Sequence, residues 1–329
     1  MPAVAVRSLR LPHLTLPRVD KKKLTQVAGV AIGVVFLVLA ARLVQRELQP
    51  EVLRQVPAAL HALPGWRLAL AVIGAVFAYV WLGGFDVLSA RIAGARVDVG
   101  HAVRTGFASY ALTHNFGFAA VTGMALRLHR YRRRGLRGGD VARVFLGNVV
   151  TMWTGFTLAL GATVVVWPSG VWHMSPVHER LVGAALVVVV AIWIGLCFKG
   201  LPAMRFRGHE FRLPQGPQAL AQLGAGVVHW SLSAVILWLL LPPGIAFAAV
   251  FGALCVAQIA VVVAHVPGGV GVLEGMLLLL LRGQVDPASL AAACVLYRLA
   301  YYLLPLGLTA LMLGTESIVS RTQLKPVSP

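Results

Sequence analysis

Long apolar runs alternate with short basic segments along this chain of 329 residues. A helix needs about 20 residues to cross the hydrocarbon core of a bilayer. Six uninterrupted apolar runs approach or exceed that length, over residues 24–41, 66–88, 141–167, 180–197, 219–241 and 288–314. The pattern therefore predicts an all-α polytopic membrane protein with about six full spans, in a single transmembrane domain over residues 24–315.

A seventh apolar segment, residues 246–282, is interrupted by Pro267, Gly268, Gly269 and Gly271. Proline removes a backbone donor and glycine leaves helical geometry easily, so a helix should break there. The arm that follows rises only about 10–15 Å, roughly half of the hydrocarbon core, and cannot cross it alone. Either the segment is a re-entrant helical hairpin, or the break is a tight turn between two helices at the membrane surface.

Residues 101–126 contain a second interruption, where Asn, His and Gly117 fall inside a stretch of small and apolar residues. A dense arginine cluster follows between Arg127 and Arg143, and the positive-inside rule places such a cluster in the cytoplasm. If the N-terminus is inside and two spans precede this segment, it must return to the side from which it came. The charge pattern thus predicts a second hairpin.

Each predicted hairpin is followed by a full span, which gives candidate repeat elements at residues 101–167 and 246–314. The charges favour entry of the first hairpin from inside and of the second from outside, as in inverted-topology repeats whose broken helices meet near the midplane. The same pattern predicts that the basic segment 1–23 and the tail 316–329 are cytoplasmic. Asp140 and Asp286, near the starts of the following spans, are candidate N-caps.

Four ionisable residues lie inside or near the predicted membrane segments: Asp86, Arg127, Glu274 and Arg298. Charges at membrane depth are costly and usually line a pathway or face a bundle interior. Because an arginine can bind a phosphate and a carboxylate can meet an amine, they are candidates for recognising a lipid headgroup. The alternatives are that they pair with one another to hold the bundle, or that Asp86 forms an interfacial ion pair with Arg91.

Composition excludes several other classes of protein. Hydrophobic residues make up 58% of the chain and charged residues 12%, about half the charged share of a soluble protein. The net charge is +18. Its basic residues cluster between the apolar runs, so membrane topology explains them and no nucleic-acid partner is expected. Nucleotide-binding loops, catalytic motifs and metal-ligand spacings of His or Cys are not seen, so we expect no enzyme activity, cofactor or metal.

The stretch PGGVGVLEG, residues 267–275, resembles the PGGxGxxE signature of the lysylphosphatidylglycerol synthase transmembrane-region family. Gly123, Arg127 and Tyr131 are similar to its second signature, and Asp86 matches an Asp at the end of the family's second helix. The resemblance implies a stand-alone relative of the membrane half of multiple peptide resistance factor, which is implicated in flipping aminoacylated phosphatidylglycerol. The soluble domain that makes this lipid in bifunctional relatives is not seen in this chain.

Together, the charges and the resemblance predict a lipid-binding set and a broken-helix backbone. The first comprises Asp86, Arg127, Tyr131, Glu274 and Arg298, and the second comprises Gly117, Gly123, Pro267, Gly268, Gly269 and Gly271. The first hypothesis is an inner-membrane protein that binds and flips an anionic or aminoacylated phospholipid. The alternatives are a non-transporting membrane partner of a separately encoded lipid or envelope biosynthetic enzyme, and a lipid-modifying membrane enzyme.

Overall fold

The computed structural model describes residues 50–117, 121–168, 175–200, 204–206, 209–211 and 213–323. The predicted basic N-terminal segment, the first predicted span at residues 24–41 and the last six residues of the chain lie outside these ranges. The helices are α1 (Pro50–Ala62), α2 (Gly65–Ile92), α3 (Val99–Phe116), α4 (Thr122–Arg132), α5 (Gly138–Val166), α6 (Pro176–Phe198), α7 (Gly216–Leu240), α8 (Phe247–Ala264), α9 (Val272–Leu280), α10 (Pro287–Tyr297) and α11 (Leu304–Gln323).

The predicted all-α polytopic architecture is confirmed. Six helical stretches in the described ranges are long and apolar enough to cross a membrane: α2, α5, α6, α7, α8 and the continuous stretch Pro287–Glu316. Five of them match predicted full spans, and the sixth, α8, is the long arm of the second interrupted segment. A short antiparallel pair that was not predicted, β1 (Met204–Phe206) and β2 (His209–Phe211), lies in the basic segment 199–212, which the positive-inside rule predicts to be cytoplasmic.

Both interrupted segments are broken helices whose two arms pack against each other. The first has arms of 18 and 11 residues, α3 and α4. The second has arms of 18 and 9 residues, α8 and α9, joined through a 3₁₀ turn at Pro267–Gly269. The candidate spans that follow have 29 and 30 residues. The element lengths thus match in order, while the opposite orientation of the two units in the membrane stays a prediction.

The two breaks lie in direct contact with each other. Gly117 ends α3 with φ of 71°, and Gly268 has φ of 62°. A Cβ added to Gly268 would lie 2.9 Å from the carbonyl oxygen of Asn115, and one added to Gly117 would lie 3.6 Å from Cα of Pro267. Only glycine combines a positive φ with so close an approach of backbone to backbone.

Helix α2 lies at the centre of the bundle and packs against α3, α5 and α7. Its buried face carries Ala71, Ala75 and Ala78, which are fully inaccessible to solvent. Small residues at helical spacing let neighbouring helices approach closely, which is how membrane helices gain packing energy. This central helix carries Asp86 near its C-terminal end.

Aspartates begin two of the helices that position the candidate site. The carboxylate of Asp98 accepts a hydrogen bond from the amide of His101 at 2.7 Å, and that of Asp286 accepts from the amide of Ser289 at 2.9 Å. Asp286 is therefore an N-cap, as predicted. The same prediction for Asp140 is wrong by three residues, because Asp140 lies inside the first turn of α5 and accepts from the amide of Arg137.

Candidate functional site

The four predicted membrane charges form two separate ion pairs. In the first, Arg127 of α4 faces Asp86 of α2, with Nη2 to Oδ1 at 2.8 Å and Nε to Oδ2 at 3.0 Å. Their side chains are 2% and 0% exposed. The alternative that Asp86 pairs with Arg91 is wrong, because Arg127 occupies the carboxylate and Arg91 lies on the exposed side of the helix.

Two further side chains complete the environment of Asp86. The hydroxyl of Tyr131 donates to Oδ2 at 2.6 Å, and the side-chain amide of Asn148 donates to Oδ1 at 2.5 Å. The Arg127 guanidinium also lies over the ring of Tyr110, 4.9 Å from its centroid. A buried charge is tolerated when it is paired and hydrogen-bonded in this way, so the cluster fastens α2, α4 and α5 together.

Glycines bring the helices of this first pair close enough for contact. A Cβ added to Gly106 of α3 would lie 3.1 Å from the carboxylate carbon of Asp86 and 2.8 Å from Cα of Gly83. A Cβ added to Gly123 would lie 2.6 Å from the hydroxyl of Thr113. Gly123, predicted as broken-helix backbone, thus lies inside α4, where it permits close packing of the two hairpin arms.

In the second pair, Arg298 reaches the break that precedes α9. Its Nε donates to Oε1 of Glu274 at 2.5 Å, Nη2 donates to the carbonyl of Gly269 at 2.9 Å, and Nη1 donates to the carbonyl of Gly268. The other carboxylate oxygen of Glu274 accepts from the amide of Gly271 at 2.8 Å. One guanidinium therefore binds both the carboxylate and the backbone of the break.

The second pair is more open than the first. The side chains of Arg298 and Glu274 are 17% and 22% exposed. The break beside them contains four residues with positive φ: His265, Gly268, Gly269 and Gly271. Irregular backbone at membrane depth is tolerated where it is buried in protein or lines a wet cavity. The geometry thus places a partly accessible cation and anion next to such backbone.

Arg298 begins a π turn, residues Arg298–Leu303, that contacts the first hairpin. Within this turn, the carbonyl of Tyr302 accepts a hydrogen bond from the side-chain amide of Asn115 at 3.0 Å. The Arg298 guanidinium lies 4.5 Å from the ring centroid of Tyr302. π turns inside α-helices are frequent at functional sites.

The structure brings the predicted residues together in a way that the spacing alone did not indicate. Arg127 and Glu274, which carry the two signatures, are in different clusters and bind different partners. Asn148, Asn115 and Tyr302 were missed by sequence reasoning. The signal for the first was an amide inside the otherwise apolar run 141–167, because such a group needs a hydrogen-bond partner in the membrane.

Within the part of the chain that the structure describes, no group of three or more His, Cys, Asp and Glu side chains could hold a metal ion. The three cysteines, Cys197, Cys255 and Cys294, are buried and free. The polar chemistry of the described site therefore rests on arginine, carboxylate, amide and tyrosine side chains together with glycine backbone.

Comparison with known proteins finds relatives along nearly the whole chain. It is 31% identical over 299 residues to inner membrane protein YbhN of Escherichia coli, covering 88% of this chain and 90% of that protein. It is 29% identical over 305 residues to an uncharacterized protein of Synechocystis, covering 91% of this chain and 94% of that protein. No protein-family model matches the chain. The relatives support a multi-pass membrane protein and leave the resemblance to the lysylphosphatidylglycerol synthase transmembrane region unconfirmed.

Proposed function

The chain belongs to the family of inner membrane protein YbhN, and from that premise we propose that it binds a phospholipid headgroup and moves the lipid across the inner membrane. The headgroup contacts the partly open pair of Glu274 and Arg298 at the second break. Both termini face the cytoplasm, as the distribution of basic residues favours.

The accessibility of the second pair is the observation that carries this proposal. Arg127 and Asp86 bind each other, Tyr131 and Asn148 also donate to the carboxylate, and the pair is closed to solvent, so a ligand could reach it only after the cluster opened. Glu274 and Arg298 keep part of their surface open beside backbone that is already irregular. A lipid phosphate could accept from the guanidinium in place of a backbone carbonyl, at a modest loss of protein hydrogen bonding.

The chemistry of the pair favours a headgroup with a phosphate and a nearby cation. Arg298 matches the phosphate because its planar fork donates two parallel hydrogen bonds. Glu274 matches an ammonium group as a charge-assisted acceptor. The resemblance of PGGVGVLEG to the lysylphosphatidylglycerol synthase transmembrane signature supports an aminoacylated phospholipid, while a simple anionic phospholipid would use the arginine alone.

The test is a flipping assay with the purified full-length protein in liposomes. A fluorescent phospholipid is placed in both leaflets, and the fraction that dithionite can bleach from outside is followed over time. Without flipping, only the label in the outer leaflet is bleached. We expect the protein to raise the bleached fraction above that share, and Glu274→Gln to abolish the gain. Asp140→Asn, which removes a carboxylate of a surface pair with Arg143, is the matched control and should keep the gain.

The same preparation separates the alternatives. Lipid that co-purifies with the protein and depends on Glu274, without any flipping, would favour a non-transporting partner of a lipid biosynthetic enzyme. A chemically altered lipid recovered from the liposomes would favour a lipid-modifying enzyme. A protein that shows no bound lipid and no flipping would overturn the proposal.

A further inference from the structure

Two connections at the predicted cytoplasmic face fold against each other. They join α2 to α3, at residues 93–98, and α4 to α5, at residues 133–137. A small apolar cluster lies between them, in which Tyr131 and Val141 are buried and Val97 and Leu136 pack against the buried side chains. This cluster is separate from the main core of the bundle. The two connections therefore form one folded surface.

This surface carries several exposed arginines. We call it the basic platform and define it by Arg96, Arg132, Arg133, Arg134 and Arg137. Within the described residues, no carboxylate lies at ion-pair distance from any of the five. The platform therefore presents positive charge that the protein itself does not neutralise.

The carboxylates near the platform are already bound. Asp98 accepts from the amide of His101 and caps α3, and Asp140 pairs with Arg143. Glu316 of α11 pairs with Arg130. An anion that reaches the platform would thus find the arginines open, and a cation would find no free carboxylate among these three.

A buried arginine fixes the platform to the bundle. Nε of Arg130, in the last turn of α4, donates to the hydroxyl of Thr105 at 3.0 Å, and Nη2 donates to Oε1 of Glu316 at 3.0 Å. These bonds join α4 to α3 and α11, and the side chain of Arg130 is 8% exposed. Because the underlying backbone is held in place, less freedom is lost when the exposed arginines bind a ligand.

The platform lies at the open end of the first hairpin. α3 begins at Val99 and α4 ends at Arg132, so both arms extend from the platform to the break at Gly117. Gly117 in turn approaches Pro267 of the second break. A headgroup held at the platform would therefore lie beside the hairpin whose far end contacts the break that Arg298 binds.

We propose that the basic platform binds anionic phospholipids of the cytoplasmic leaflet and concentrates them at the open end of the first hairpin. Binding at the platform does not require lipid movement, whereas delivery to the Glu274–Arg298 pair rests on the proposed function. Arginine suits a lipid phosphate because its planar fork donates two parallel hydrogen bonds. Basic clusters beside membrane spans attract anionic lipids, and Arg91, in the last turn of α2, marks the end of such a candidate span at the platform.

The charge of the platform also narrows the class of lipid. Phosphatidylglycerol has a net negative charge, phosphatidylcholine has none, and lysylphosphatidylglycerol has a net positive charge. The ammonium groups of an aminoacylated headgroup would meet mainly like charge at the platform, which disfavours binding. Of the two headgroups that fit the Glu274–Arg298 pair, the platform therefore favours the simple anionic phospholipid.

The test measures lipid binding and needs no lipid movement. The full-length protein is placed in phosphatidylcholine liposomes with a trace of spin-labelled lipid, and electron paramagnetic resonance gives the fraction of label that the protein immobilises. We expect phosphatidylglycerol to associate at least about threefold more strongly than phosphatidylcholine at about 0.05 M salt, and this preference to fall by about half or more at about 0.5 M salt. Unlabelled lysylphosphatidylglycerol should compete no better than phosphatidylcholine.

Two variants with the same loss of charge assign the preference to the platform. The platform variant combines Arg132→Gln, Arg133→Gln, Arg134→Gln and Arg137→Gln. The control variant combines Lys199→Gln, Arg205→Gln, Arg207→Gln and Arg212→Gln, in the other basic segment that is predicted to be cytoplasmic. We expect the platform variant to lose at least about half of the preference, and the control variant to lose much less. If the platform variant does not fold, Arg133→Gln with Arg134→Gln is compared with Arg205→Gln with Arg207→Gln.

Equal association of the two spin-labelled lipids, or equal losses in platform and control variants, would overturn the lipid platform. Competition by lysylphosphatidylglycerol as strong as that by phosphatidylglycerol would overturn its selectivity for net negative charge. A phosphatidylglycerol preference in a protein that does not flip lipid would leave the platform standing and overturn the transport function. Flipping that depends on Glu274, without any such preference, would do the reverse.

Discussion

The ion pairs at the two broken helices contain the same chemical groups, an arginine and a carboxylate, in contrasting surroundings. Around Asp86, every neighbour is a side-chain donor from another helix, and the pair is closed to solvent. Around Arg298, two acceptors are backbone carbonyls of the break, and the pair is partly open. The first arrangement joins helices, and the second holds an irregular backbone in one conformation that a competing ligand could replace.

The surroundings also predict how each pair should respond to loss of one partner. A buried charge left alone carries its full desolvation cost, whereas a partly exposed one regains water. Substitutions at the closed pair should therefore damage stability, and substitutions at the open pair should damage function. Four experiments can break or sharpen this contrast.

The largest expected effect is from Asp86→Asn, which leaves the buried Arg127 guanidinium without its carboxylate. We expect a loss of about 3–5 kcal/mol in the free energy of unfolding, by the usual cost of breaking a buried pair. A strongly lowered midpoint of thermal unfolding in detergent would show it. The double variant Asp86→Asn with Arg127→Gln should recover a large part of the loss, because no unpaired charge remains.

The partner assignment gives a control for that experiment. Arg127→Gln combined with Glu274→Gln should show the sum of the two single effects, since these residues belong to different pairs. Recovery of stability in this combination, or none in the pair of Asp86 and Arg127, would contradict the structure.

The next effect concerns the backbone of the open pair. Gly269→Ala and Gly283→Ala each force alanine into a positive φ, of 60° and 78°. This backbone strain costs about 1–2 kcal/mol in each variant. At Gly269 the new Cβ would also lie 2.6 Å from Cγ1 of Val261, while at Gly283 nothing lies within 4 Å. We expect Gly269→Ala to lower the free energy of unfolding further, by about 1–3 kcal/mol of overpacking, and a lower midpoint of thermal unfolding than that of Gly283→Ala would show it.

Because Gly283 also has a positive φ, it separates steric contact from backbone strain. Equal losses at the two positions would mean that the break relaxes freely around Val261. The break would then be an ordinary connection and the contrast between the two ion pairs would lose its structural basis.

A smaller effect is expected from Arg298→Lys. Lysine keeps the charge, but its single ammonium group lacks the planar fork that binds Glu274 and two carbonyls at once. Amides of the break should then exchange with deuterium about tenfold faster, with little change in the midpoint of global unfolding. Arg143→Lys, at the surface pair with Asp140, is the matched control and should leave exchange at the break unchanged. A large loss of global stability would mean that the second pair also fastens helices.

The smallest effect on the protein is expected from cysteine labelling, which determines the side of the membrane that each labelled position faces and so tests the predicted topology of the hairpins. A cysteine at Val177 should react with a membrane-impermeant reagent from outside, and one at Gly138 should not, because the arginine cluster predicts that Gly138 is cytoplasmic. Neither exposed position should change stability. The reverse pattern would contradict the predicted topology and the inverted arrangement of the two hairpins. Val177 belongs to the segment 168–179, which is poor in basic residues and therefore predicted to lie outside; Ser169 of the same segment lies outside the described residues.

Within the described residues, five full spans and the two interrupted segments followed from the sequence, because apolar length and basic loops report directly on the cost of placing residues in hydrocarbon. The break at Pro267 to Gly271 followed in the same way, since proline and clustered glycine oppose helix locally. Pro305 marks a distortion of the last span, because proline removes a backbone donor and crowds the carbonyl four residues before it, but the form of the distortion, a π turn at Arg298–Leu303, was not predictable. The carbonyl of Tyr302 in this turn accepts from the side chain of Asn115, a contact across 187 positions of the chain that no local pattern announces.

The sequence by itself also identified the four membrane charges, since ionisable groups are rare and costly in apolar runs. Which carboxylate meets which arginine was decided only by the tertiary structure. Asp86 reaches Arg127 because α2 and α3 cross closely at Gly83 and Gly106, which puts the aspartate beside the α4 arm of the hairpin. Helical periodicity fixes the face on which a residue lies, but the partner across that face depends on how the helices cross, and that is a property of the whole packed bundle.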